Sequence, residues 1–383
     1  MADWKIPLYK IYWDDDDVEG IVRIIKRGTY WTTGKEIEEF EKMVADYVGV
    51  KYAVSFNSGT SALHAVLLAY GVGEGDEVIV PSFTFIATAN SVLFVNAKPV
   101  FADIEEETFG LDPEDVKEKI SRRTKAIMPI HYGGSPCKIR EIKEIAEDYN
   151  LLLIEDAAES LGAHIDGKKV GSYGDAAVFS FCGNKVITTG EGGIVVTNSD
   201  EIYEKLKLIR SHGRLEKEPY FTSSKTPDYI ILGYNWRISS FTAALGISQM
   251  RKIDKVVEMR RKNAKYLTER ISKISGLLPP IPPDGYYHVY QMYTIRVEEG
   301  RRTRDSLKDY LVEKGIMSKV YFEPIHLTYF YRSKFGYVGG ELPVTERLSG
   351  EVLTLPMYPA LSFDEMDYIV NSIKEFMESH KSK

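Results

Sequence analysis

The sequence predicts an α/β fold, a mixed and mostly parallel seven-stranded sheet sandwiched by helices, with a smaller α+β domain at its C-terminal end. Three observations predict it. From residue 52 the pattern alternates strand and helix. The strand runs, such as Leu151-Leu-Leu-Ile154, are apolar on both faces, as strands covered by helices on both sides need to be. Finally, the segment Gly276-Leu-Leu-Pro-Pro-Ile-Pro-Pro-Asp-Gly285 holds four prolines that halt the helical pattern before it.

At 383 residues and 44% hydrophobic, the chain is long enough for about two domains and buries about three quarters of its unfolded surface. Asp14 to Asp17 precede Val18, Ile21, Ile24 and Ile25, so carboxylates meet the positive end of a helix that finishes near Gly28. A second helix puts Ile37, Phe40, Met43, Val44 and Tyr47 on one face, and the aromatic loop Gly28–Gly34 joins the two. Strands follow at 52–57, 77–81, 99–103, 125–130 and 151–155, with helices at 60–70, 85–95, 112–120 and 138–149 between them. Two further strands, 176–181 and 193–197, have no helix between them and complete the large domain, taken as residues 1–250. The charged pattern from 251 to 275 reads as a linking helix, and 276–383 as the small domain.

Charge and cysteine content exclude several classes of function. With 49 basic and 56 acidic residues the net charge is -7, which offers no general attraction to nucleic acid. Two cysteines, Cys137 and Cys182, build no disulfide framework, and a reducing cytoplasm is the expected setting. The longest uncharged stretch, Val78 to Ala97, contains Pro81, Asn90 and Asn96 and is not a membrane span. Gly162 to Lys169 nearly matches a P-loop, but Lys169 stands where a Ser or Thr is required, so a hairpin turn is expected. The seven histidines have no metal-ligand spacing, and no metal is expected.

Three segments carry chemistry. In Asn57-Ser-Gly-Thr-Ser-Ala-Leu63 a strand ends and a helix begins, offering free amides, hydroxyls and a glycine to an anion. The bland reading is an N-cap at Ser58 or Thr60. In Ile154-Glu-Asp-Ala-Ala-Glu-Ser160, Asp156 ends an apolar strand, where open α/β sheets place ligands, and asks for a cationic partner or a capping role. In Val178 to Gly193, Lys185 lies between an apolar strand and a glycine-rich turn, and an enclosed amine is desolvated toward its nucleophilic form. A phosphate cradle, a carboxylate and an enclosed lysine are the parts of a pyridoxal 5'-phosphate site, with Lys185 on the aldehyde carbon and Asp156 on the pyridine nitrogen.

The sequence resembles the pyridoxal phosphate-dependent nucleotide-sugar aminotransferases, a branch of the fold type I enzymes, over nearly the whole chain. The resemblance rests on Gly-Thr-Ser-Ala-Leu-His (59–64), Pro-Ser-Phe-Thr-Phe-Ile-Ala-Thr (81–88), Glu-Asp-Ala-Ala-Glu (155–159), Ser-Phe-Cys-Gly-Asn-Lys (180–185), Thr-Gly-Glu-Gly-Gly (189–193), Gly-Tyr-Asn-Trp-Arg (233–237) and Leu-Ser-Gly-Glu-Val-Leu-Thr-Leu-Pro (348–356). It implies Lys185 as the Schiff-base lysine and Asp156 at the ring nitrogen. Gly59, Thr60 and Ser180, with Ser58, would hold the phosphate, and Phe85 would stack on the ring. It also implies a homodimer with shared sites, in which Asn235 reaches the neighbour's phosphate and Arg237 meets a substrate anion.

Glu159 stands beside the cofactor where Gln or His is frequent, and this form is most similar to perosamine synthases. The implied reaction moves an amino group from L-glutamate to C4 of a nucleotide-linked 4-keto-6-deoxy sugar, with a 3-keto sugar as the alternative. Tyr30 in the aromatic loop, His326 and the cluster Tyr329-Phe-Tyr331 are candidates to line the sugar pocket. A cofactor-free regulatory or binding protein is the competing class, since Arg251 to Arg270 is rich in Lys and Arg. Asp254, Glu258 and Glu269 in the same segment instead suit a solvated helix.

Overall fold

Two helices open the chain, α1 (Asp15–Arg27) and α2 (Lys35–Val48). The acidic run does what the sequence asks of it, because Asp14 and Asp17 form a reciprocal capping box and Gly28 closes α1 at a positive φ of 71°. The computed structural model describes residues 4–215 and 223–381.

The alternating region then gives β1 (Tyr52–Phe56), α3 (Gly59–Ala69), β2 (Glu77–Pro81), α4 (Ala87–Phe94), β3 (Lys98–Ala102), α5 (Pro113–Lys119), β4 (Thr124–Ile127), α6 (Ile139–Asp148) and β5 (Leu152–Asp156). A hairpin of β6 (His164–Ile165) and β7 (Lys168–Lys169) turns through Asp166 and Gly167, both at positive φ, so the near-match to a P-loop is a two-residue turn. Next come β8 (Ala176–Ser180), β9 (Gly193–Thr197) and α7 (Asp200–Arg210).

Seven strands form one sheet in the order β1-β9-β8-β5-β4-β2-β3. All neighbours are parallel except those of β9, which is antiparallel to both β1 and β8. A parallel return needs a crossover, and the stretch from β8 to β9 has none, so β9 runs backward. That stretch carries Lys185. Both faces of the sheet are buried, and successive side chains alternate between them. Val54, Phe56, Ile154, Val178 and Val195 pack with α3, α4 and α7, while Ala53, Ala177, Phe179, Ile194 and Val196 pack with α2 and α8 (Ser240–Arg251).

The linking helix is α9 (Ile253–Ile271). Its first half puts Val256 and Val257 into the core of the large sheet, and its second half puts Ala264, Leu267 and Ile271 into a separate C-terminal core. Its basic character is partly internal: Arg260 is buried and donates to the carbonyls of Tyr290, Gln291 and Met357. The C-terminal core surrounds an antiparallel sheet whose central strand, Tyr293–Val297, pairs with Leu277–Leu278 and Val352–Leu355. Helices α10 (Arg301–Glu313), α11 (Tyr329–Phe335), α12 (Pro343–Glu351) and α13 (Phe363–Lys381) complete the chain.

The central strand starts only at Tyr293, because the amides of Val289 and Met292 just before it bond to Gly134 and Gly133 instead of a neighbouring strand. Ile6, grouped by sequence with the large domain, packs in the C-terminal core and bridges Ile316.

Candidate active site

The ligand-facing edge is built by the C-terminal ends of β1, β2, β5 and β8 and the start of β9, where a parallel sheet opens its crevice. At the end of β1, Ser58 is the N-cap of α3 and accepts from Ser61 N, while Ser61 Oγ returns to Ser58 N. Ser58 is therefore occupied as a cap, and the first helical amides, those of Gly59 and Thr60, have no acceptor within the helix. A Cβ on Gly59 would sit 3.1 Å from Ser180 Cβ and 3.2 Å from its Oγ, and one on Gly193 would sit 2.3 Å from Ser58 O. Gly59, Ser180 and Gly193 thus converge on one helix N-terminus.

Asp156 ends β5 and is buried. Thr88 Oγ1 donates to its Oδ2 at 2.7 Å and Ala158 N to its Oδ1 at 3.2 Å. Burial raises its pKa above the usual carboxylate range, and the nearby charge of Glu159 adds to this, against the hydrogen bond from Thr88 and the attraction of Lys185. It is a buried acid that a positively charged N–H would stabilise.

Lys185 lies in the β8–β9 connection, with its side chain 13% exposed and its Nζ 3.3 Å from Glu159 Oε1. Glu159 is in turn held at Oε2 by Gly133 N, 2.9 Å away. The turn itself is pinned by Gln291 Nε2, which donates to Asn184 O at 3.0 Å. Phe85 follows β2, and its ring is 56% exposed although it lies between the buried Thr84 and Thr88.

An anion cradle, a buried acid in want of a cation, an amine and an uncovered aromatic ring fit pyridoxal phosphate: Gly59, Thr60 and Ser180 for the phosphate, Asp156 for the ring nitrogen, Lys185 for the aldehyde and Phe85 for a ring face. A family profile for the DegT/DnrJ/EryC1/StrS aminotransferases matches residues 13–374. The chain belongs to that family. Pyridoxal 5'-phosphate is the cofactor of this aminotransferase.

The chain is 40% identical to GDP-perosamine synthase of Caulobacter vibrioides over 91% of its own length and 92% of the relative's. Among solved structures, it is similar to Helicobacter pylori PseC, an aminotransferase involved in the biosynthesis of pseudoaminic acid, with a TM-score of 0.92, 28% identity and coverage of 98% of this chain and 99% of that one. It is also similar to the PLP-form of a putative sugar aminotransferase from Streptococcus pneumoniae, with a TM-score of 0.91, 25% identity and coverage of 99% of both chains. No described helix is long and apolar enough to cross a membrane.

Other sequence candidates fall elsewhere on the aminotransferase. His326 is a correction: it is fully buried, and both ring nitrogens are engaged, Nδ1 with Ser82 Oγ at 2.7 Å and Nε2 with Glu346 Oε1 at 3.1 Å, so it braces the fold instead of facing a sugar. His326, Glu341 and Glu346 lie close enough to resemble a metal cluster, but the carboxylates accept from the amides of Val338, Gly339 and Gly340. Tyr331 is likewise buried, against Phe101.

Tyr30 is exposed, and its carbonyl accepts from Ser240 Oγ at the start of α8. Arg237 meets Ser211 Oγ at 3.2 Å and lines a cavity of about 360 Å³ with Thr33, Lys207, Arg210 and Arg214. Asn235 is exposed beside Trp236, whose carbonyl accepts from Asn57 N.

Sequence reasoning missed Thr88, the Gly133 amide and Gln291. Only Thr88 had a signal, as a hydroxyl four residues after Thr84 in a segment already singled out.

Proposed function

We propose that this aminotransferase moves an amino group from L-glutamate to C4 of a nucleotide-linked 4-keto-6-deoxy sugar, in the manner of a perosamine synthase and for polysaccharide or glycan biosynthesis. The observation that carries the reading is the Lys185–Glu159 pair beside Asp156. The perosamine synthase relative supports the sugar class. Pyridoxal phosphate, when bound, supplies a carbonyl that exchanges an amino group and a ring that takes up the electron pair of the reacting carbon.

The chain's own groups do the remainder. The amides of Gly59 and Thr60 and the Ser180 hydroxyl bind the phosphate, and Asp156 keeps the ring nitrogen's proton in place. Phe85 covers one face and excludes water. Lys185 Nζ moves a proton at the reacting carbon, and Glu159, fixed by Gly133 N, orients that amine.

The exposed apolar run Tyr229 to Leu232, with Asn235 and Arg237 close by in sequence, supports a homodimer in which Asn235 reaches the partner's phosphate and Arg237 a substrate anion. Incubation of the holoenzyme with glutamate and a panel of GDP-, UDP- and dTDP-linked 3-keto and 4-keto sugars, read by mass spectrometry, tests the proposal. A product aminated at C4 is expected, and amination only at C3, or none, overturns it. Borohydride treatment should fix the cofactor on the peptide carrying Lys185, and Lys185→Ala should lose both the yellow colour and turnover.

A further inference from the structure

A buried line of hydroxyls ends on Asp156. Thr84 lies between β2 and α4, and its Oγ1 is 2.9 Å from that of Thr88, which is 2.7 Å from Asp156 Oδ2. Chemistry fixes the direction of this line. An ionised carboxylate only accepts, so Thr88 donates to Asp156, and the Thr88 oxygen in turn accepts the Thr84 hydroxyl hydrogen. All three residues are buried, where a carboxylate that loses a donor is costly to leave unmet.

The segment that carries these hydroxyls is itself anchored. Ser82, two residues before Thr84, accepts from His326 N at 3.0 Å and faces His326 Nδ1 at 2.7 Å, while its carbonyl accepts from Ile325 N. His326 is braced by Glu346, and Glu346 by Gly340 N. A residue in the C-terminal third of the chain thus fixes the loop on which Phe85 and Thr84 ride.

We propose that Thr88, backed by Thr84, is a positioning residue for transamination, aiming the Asp156 carboxylate at the cofactor's ring nitrogen. The proposal rests on the reading of Asp156 given above. Among the described residues each carboxylate oxygen has one donor, Thr88 Oγ1 or Ala158 N, which leaves lone pairs for one further N–H. Burial opposes the charge on Asp156, and the Thr88 hydrogen bond is the chain's first answer to it. The other charges that act on the group are Glu159, which opposes ionisation, and Lys185, which favours it.

The test uses the holoenzyme and the variants Thr88→Val, Thr88→Ser, Thr84→Val and Asp156→Asn. Glutamate is added in a single turnover without sugar, the loss of the cofactor's visible band is timed across pH, and the cofactor dissociation constant is measured separately. Thr88→Val should slow the single turnover by about tenfold, the scale expected when a partner of a functional group is lost. It should also move the acidic limb of the pH profile upward and weaken cofactor binding. Thr88→Ser, which keeps the hydroxyl, should restore rate and profile, and Thr84→Val should give a smaller change of the same kind.

A Thr88→Val enzyme with wild-type rate and profile overturns the proposal, as does a Thr88→Ser enzyme no better than Thr88→Val. Asp156→Asn separates the two levels. If it too turns over like wild type, the reading of Asp156 fails; if it is impaired while Thr88→Val is not, only the positioning role falls.

Discussion

Glu155 and Asp156 are consecutive carboxylates on β5, both buried, and their surroundings differ in almost every respect. Strand alternation sends them to opposite faces of the sheet. On its side Glu155 accepts from His131 Nε2 at 2.9 Å and from the amides of Gly171, Tyr173 and Gly174 at 2.7, 2.8 and 2.8 Å. Cys137 N donates to His131 Nδ1, so the ring proton sits on Nε2 and points at Glu155. Burial alone would raise the Glu155 pKa, but His131 and these amides bring it below the usual range. Asp156 has two donors, and its pKa is raised. The lesson is that a buried acid saturated by its own fold is structural, whereas one left short of donors at a strand's C-terminal end is waiting for a ligand.

The comparison can be broken in several ways. The largest expected effect is that of Glu155→Ala, which leaves the His131 N–H and three amides without an acceptor and should cost about 3–5 kcal/mol in urea unfolding of the apo-protein. Asp156→Asn should do the reverse, lowering amino transfer by about 10²- to 10³-fold in steady-state kinetics while leaving the fold intact. The folded-state pKa of Asp156 is raised, so wild-type apo-protein loses stability as pH rises through that range. Asp156→Asn apo-protein should therefore melt at or above the wild-type temperature at alkaline pH, and the difference should shrink on acidification.

His288 extends the contrast to a buried base. Burial, with the charge of Arg261, pushes its pKa down to about 3 from 6.5, and its Nδ1 accepts from Tyr290 N at 2.8 Å. Its contribution to stability is complete above pH 6.5 and declines as pH falls toward 3, by about 1.4 kcal/mol per pH unit for one proton. His288→Asn, which keeps an acceptor near Nδ1, should flatten that part of the stability–pH curve by the same slope. The smallest effect belongs to the cradle. Gly59→Ala should weaken cofactor binding by about tenfold, or ~1.4 kcal/mol, in a fluorescence titration and lower the apo-protein's melting temperature less than Glu155→Ala does, since the atoms nearest the added Cβ belong to Ser180, which has to shift by a few tenths of an ångström.

Much of this architecture was legible before any coordinates. The seven strands and the first helices follow from apolar periodicity, and the missing helix between β8 and β9 was visible too, although the antiparallel direction of β9 was read only from the structure. Helices α7, α8, α11 and α12 and the strand Val352–Leu355 went unread, since their patterns become apolar faces only against a partner element. Lys185, Asp156 and Gly59 were readable because turns, strand ends and glycines mark them locally. His326 was misread because a histidine near aromatic residues has the same local appearance whether it faces a substrate or Ser82 and Glu346.

By itself the sequence determined the order of elements, the strand that ends in two acids and the lysine in the glycine-rich turn, all of which depend on neighbours a few residues away. Which of the two acids is saturated, and that Thr88 supplies the hydroxyl on the other, was decided by the tertiary structure. Residues 131, 171 and 174 reach Glu155, and residue 88 reaches Asp156, only after the sheet has brought strands distant in sequence side by side.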